Sequence, residues 1–66
     1  MKNTIKVQRA ILDITQEDLA KKIGVSRQTI NSIEKNRYVP STVLALKLSE
    51  IFKIPVNDFF SLESSD

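Results

Sequence analysis

Apolar side chains recur along this 66-residue chain at helical spacing, in stripes divided by short polar interruptions. One stripe is Leu19, Ala20 and Ile23, a second is Ile30 and Ile33, and a third is Leu44, Ala45, Leu48, Ile51 and Phe52. Each is the buried face of an amphipathic helix whose remaining positions are polar. Residues 4–12 predict an earlier helix, with Ile5 and Leu12 facing inward and Val7 and Ile11 forming a second stripe against the C-terminal segment. A short fifth helix is expected over residues 56–60, bringing Phe59 towards the core.

The polar interruptions carry the start and stop signals. Thr15 is a good N-cap and Asp18, three residues on, approximates a capping box. Glu17 and Asp18 then meet the positive end of the helix dipole, and Lys21 and Lys22 the negative end. Gly24, the only glycine, follows as a residue able to take a positive φ. Ser26 caps the next helix after the apolar turn residue Val25. Pro40 blocks continuation, Ser41 caps a fourth helix, and Pro55 disfavours helical geometry at Ile54, so that helix should end near Lys53. The small Ala20 suits a close crossing of two helices at a large angle. Residues 16–35 therefore read as a helix-turn-helix.

The outward side of the second of these helices holds Arg27, Gln28, Thr29, Asn31, Ser32 and Lys35, with no acid before Glu34. Arginine can pair bidentately with guanine, glutamine and asparagine with adenine, and threonine can offer its methyl to thymine. Past the helix, Lys35, Asn36, Arg37 and Tyr38 form a donor-rich loop suited to phosphates, although an exposed tyrosine is as often plain surface. Asparagine at position 36 tolerates a left-handed backbone.

Gln16, Ala20, Gly24, Val25, Ser26, Ile30 and Ile33-Glu34 resemble the helix-turn-helix pattern of Cro-type, lambda-repressor-like regulators, the Xre family. Ile5, Arg9, Leu12 and Ile14 before it, and Tyr38, Pro40-Ser41 and a Leu-Ala-Leu-Lys-Leu helix after it, extend the match over residues 4–60. The resemblance implies an all-α, five-helix, lambda-repressor-like DNA-binding domain over residues 1–66. In some small relatives a two-stranded ribbon joins the termini; here it would pair residues 1–3 with 61–63. The family pattern also implies an ion pair between Arg9 and Glu34. It places Gln16 on a phosphate beside Gln28, and Arg27, Gln28 and Ser32 on bases. Thr29 and Asn31 stand next to them as base-reading or phosphate contacts, and Ser26, Lys35, Asn36, Arg37 and Tyr38 on the phosphate side.

Composition narrows the classes. At 41% hydrophobic and 27% charged the chain is ordinary for a single small domain. It has no cysteine and no histidine, which removes disulfides, thiolate sites, the commonest general base and the commonest metal ligand. No enzyme, cofactor, metal or small-molecule ligand is expected, nor a membrane span or signal peptide; a cytoplasmic, nucleoid-associated protein fits. The net charge of +2 is unevenly spread: residues 1–49 sum to +5 and residues 50–66 to −3, so the cationic part coincides with the reading helix. A palindrome-reading homodimer would need its contact surface within residues 54–63 and the nearby helix, and Phe59, Phe60, Leu62 and Leu46 are the candidates. Three functions stay open: a DNA-binding repressor, an antitoxin-like module that holds another protein with the same fold, and a structural helix bundle.

Overall fold

Each helix begins where a side-chain oxygen receives an orphan backbone N–H, and ends where one residue turns left-handed. The computed structural model describes residues 1–66 and contains four α-helices: α1 (Ile5–Leu12), α2 (Gln16–Ile23), α3 (Arg27–Glu34) and α4 (Thr42–Phe52). Thr15 and Asp18 form a full capping box on α2, each side chain accepting the other's backbone N–H at 3.0 Å. Ser26 Oγ accepts from Thr29 N–H and Ser41 Oγ from Leu44 N–H, both at 3.2 Å. The left-handed residues are Asp13 (φ 56°), Gly24 (φ 77°), Asn36 (φ 60°) and Lys53 (φ 59°). A methyl group added at Gly24 would meet nothing within 4 Å, so the glycine serves the backbone angle and not a close approach.

The stripes converge on one core of ten residues: Ile5, Leu19, Ala20, Ile23, Ile30, Ile33, Leu48, Phe52, Phe59 and Phe60. The turn at Gly24 folds α2 onto α3, and α4 closes the other side of α2. Phe59 meets Phe52 edge-on, with ring centroids 5.1 Å apart, and tilts against Phe60 at 5.0 Å. Two short strands, β1 (Lys2–Asn3) and β2 (Phe60–Ser61), pair antiparallel with Lys2 opposite Ser61 and Asn3 opposite Phe60. No helix is long and apolar enough to cross a membrane.

The structure departs from the sequence reading in several places. The expected fifth helix is a single 3-10 turn over Val56–Asp58, so there are four α-helices and a small sheet where five helices were expected. Its residues bond at i+3 spacing, Asp58 N–H to Pro55 O and Phe59 N–H to Val56 O, before the chain straightens into β2. The ribbon pairs one residue earlier in the C-terminal segment than residues 61–63 suggested. On α1, Ile5 is inward but Leu12 is 41% exposed, and Val7 and Ile11 face solvent at 54% and 69%. The phase of α1 is set by Ile5 and Arg9, which places Val7 and Ile11 on the far side of the wheel. The helix also starts one residue after Thr4, whose side chain makes no cap; Asn3 Oδ1 accepts from Ile5 N–H instead, at 3.2 Å.

Candidate nucleic-acid interface

Eight residues at about 1.5 Å each make α3 a rod about 12 Å long, near the width of a DNA major groove, about 12 Å. Its inward residues Ile30 and Ile33 are buried, which fixes its rotation. Its polar side chains then divide into two sets. One is bound into the protein and the other is open.

The engaged set surrounds Glu34. Arg9 Nε donates to Glu34 Oε2 at 2.6 Å and Arg9 Nη2 to Oε1 at 3.1 Å, a fork in which the two side chains are only 14% and 8% exposed. A further guanidinium nitrogen, Nη1, reaches the Ile14 carbonyl at 3.2 Å, tying α1 to the turn before α2. Gln16 Nε2 donates to Glu34 Oε1 at 3.1 Å and to Asn31 Oδ1 at 3.3 Å. Gln16 therefore faces Asn31 and Glu34, and not Gln28 as the resemblance implied; both its amide hydrogens are taken.

The far end of α3 is held as firmly. Asn36 N–H bonds Ile33 O at 3.0 Å and Arg37 N–H bonds Ser32 O at 2.9 Å, the paired bonds of a Schellman close with asparagine in the left-handed place. Asn3 Nδ2 adds a bond to Ile33 O at 2.8 Å and another to Asn36 Oδ1 at 3.0 Å. One asparagine in β1 thus caps the start of α1 and the end of α3. Sequence reasoning missed it, because its α3-side partners lie 30 and 33 residues away and no local pattern marks them.

The open set points outward. Arg27, Gln28, Lys35, Arg37 and Tyr38 are exposed, with Ser32 half-buried among them, and none of these side chains donates to or accepts from another protein group. Arg27, Gln28, Asn31 and Lys35 line an open hollow of about 330 Å³. Ser26, Gln28, Thr29, Ser32, Arg37 and Tyr38 line a second of about 310 Å³, so Gln28 forms the shared wall. Thr29 is half-buried with its hydroxyl 3.0 Å from Ser26 Oγ, which links both to the helix cap. At the start of α2 the Thr15 backbone N–H, with the Thr15 hydroxyl, holds the Asp18 carboxyl below its ordinary value.

Of the candidate dimer residues, Phe59 and Phe60 are core residues, only 2% and 7% exposed. Phe59 packs edge-on against Phe52 after the 3-10 turn, and β2 pairing turns Phe60 inward. Leu46 and Leu62 are exposed at 55% and 80%. Beside Leu46 lies an apolar hollow of about 300 Å³ bounded by Val39, Pro40, Val56, Phe60 and Met1.

Two capped helices meeting at a left-handed turn, the second with an open polar face, define a helix-turn-helix protein. Residues 5–59 match the family model described as Helix-turn-helix, and the chain belongs to that family, in its Xre/Cro type. It is 52% identical over 66 residues to an uncharacterised HTH-type transcriptional regulator of Methanocaldococcus jannaschii, covering 100% of both chains. A protein of the same description from Bacillus subtilis is 46% identical, again over 100% of both chains. Another from Archaeoglobus fulgidus is 41% identical across 100% of this chain and 93% of its own length.

Proposed function

We propose that this protein is a sequence-specific double-stranded-DNA-binding transcriptional regulator, a repressor that occupies a palindromic operator as a homodimer. The observation that carries this reading is the open set on α3: a rigidly held helix presents guanidinium, amide, hydroxyl and ammonium groups that no protein group engages. Arg27, Gln28 and Ser32 read base edges, with Asn31 and Thr29 beside them. Lys35, Arg37 and Tyr38 position the duplex through phosphates, and Ser26 and Asn36 set the helix ends from which these groups project. The +5 charge of residues 1–49, which include α3, favours DNA, and the −3 of residues 50–66 disfavours phosphate contact by that segment. The work is done at the nucleoid, in the cytoplasm, and calls on no cofactor, metal or small molecule. The regulators it resembles support the reading by their description.

A mobility-shift series on duplexes of varied sequence tests it. Gln28→Ala relaxes the preference at the base pair it reads, whereas Arg37→Ala weakens all sequences alike and lowers the salt slope by about one unit. Equal, sequence-blind losses from both changes contradict the role given to Gln28.

The apolar hollow and the exposed Leu46 and Leu62 favour a protein partner on this surface. In the homodimer reading that partner is a second copy, spacing two α3 helices about 34 Å apart on one face of DNA. In the antitoxin-like reading it is a different protein. Sedimentation of the pure chain separates them: a dimer that Leu62→Glu converts to a smaller species supports the first, and an unchanged mass removes this patch from the interface.

A further inference from the structure

We propose that Gln16 is a positioning residue for Asn31, turning that amide so that it reads the acceptor edge of guanine and not the mixed edge of adenine. The proposal rests on the DNA-reading role of α3. Its starting point is the Glu34 carboxylate, which can only accept. Arg9 occupies both of its oxygens, and Oε1 has a second donor in Gln16 Nε2 at 3.1 Å. Gln16 must therefore turn its amino end towards Glu34. The other amino hydrogen goes to Asn31 Oδ1 at 3.3 Å.

That second bond settles Asn31 in turn. An amide is free to present either end unless its neighbours decide. Here the decision runs from a carboxylate through Gln16, so the Asn31 oxygen faces α2 and its amino group faces away. No side-chain nitrogen or oxygen buried in this protein lacks a partner, and Asn31 Nδ2 has none, so Nδ2 reaches solvent. Asn31 shares the open hollow with Arg27, Gln28 and Lys35.

Bidentate pairing with adenine needs the donor and acceptor ends of one amide at the groove together, and Asn31 presents one end. Guanine offers two adjacent acceptors, O6 and N7, which an outward amino group matches. Adenine specificity is left to Gln28, whose amide no protein group orients.

Selection of bound duplexes from a random pool tests the relay, using wild type, Gln16→Leu, Asn31→Ala and the double variant. Wild type selects guanine at one position of each half-site, and Asn31→Ala loses that preference by roughly tenfold. Gln16→Leu relaxes the same position and leaves the others intact, and the double variant matches Asn31→Ala alone. Asn31→Asp keeps the bond from Gln16 but turns an acceptor outward, so the preferred base becomes cytosine. Gln16→Leu weakening every sequence equally, in both the wild-type and the Asn31→Ala background, identifies a phosphate contact and overturns the relay. So does adenine at the Asn31 position in wild type. A wild-type chain that retains no duplex overturns the DNA reading itself, and is told apart from those results by the absence of any selected sequence.

Discussion

Arg9 and Arg27 carry the same guanidinium, and Gln16 and Gln28 the same amide, yet they belong to different regions of the molecule. Arg9 and Gln16 are enclosed around Glu34, with every amide hydrogen of Gln16 and three guanidinium nitrogens of Arg9 bonded to protein. Arg27 and Gln28 stand exposed on the next helix with no protein partner. The difference teaches that residue type alone does not assign a role at this site. A partly buried donor holds α3 in place; an open donor has its hydrogen-bonding capacity left for a ligand. Rigidity of the first region keeps the second within reach of a fixed set of base edges.

Substitutions on either side of this division should separate stability from binding. Arg9→Ala leaves the Glu34 carboxylate, 8% exposed, without its partner, and should cost roughly 3–5 kcal/mol in denaturant unfolding. Arg27→Ala should leave stability within about 0.5 kcal/mol while weakening DNA binding. An equal loss of stability from both would erase the distinction. Asn3→Ala removes the bond to the Ile33 carbonyl and the cap on Ile5, and should cost about 1–2 kcal/mol. Its binding defect should vanish where the variant is fully folded, because Asn3 acts only through the fold, at the start of α1 and the end of α3.

The smallest effect belongs to the cap of α2. The Asp18 carboxyl sits below its ordinary value of 3.8 because Thr15 N–H and hydroxyl bond its charged form. A group lowered in the folded state stabilises above its unfolded value, and that contribution disappears as pH falls through the folded value. The stability advantage of wild type over Asp18→Asn should therefore shrink below about pH 4. A difference that stays constant to lower pH would show that the charge of Asp18 is irrelevant to the cap.

Features set by neighbours in sequence were legible before any coordinates. Thr15, Ser26 and Ser41 start helices, and Gly24 and Asn36 turn left-handed, because caps depend on residues three or four apart. The Arg9–Glu34 contact and the terminal ribbon span longer distances and came from family resemblance; both are present, the ribbon shifted by one residue. What escaped was set by tertiary context. Val7 and Ile11 look like a stripe at i and i+4, but Ile5 and Arg9 claim the inner face of a helix of only eight residues. Phe60 reads as surplus apolar surface until β2 pairing places it in the core. The α3-side partners of Gln16 and Asn3 lie 15 to 33 residues away, so no local pattern names them.

Titration of the labelled protein with a selected duplex, followed by magnetic resonance, tests the central claim most directly. The account predicts that the backbone and side-chain signals of Arg27, Gln28 and Ser32 shift first and furthest, with Lys35 and Arg37 following and Val7 and Ile11 unmoved. Signals of α3 that stay in place while another surface responds would contradict it.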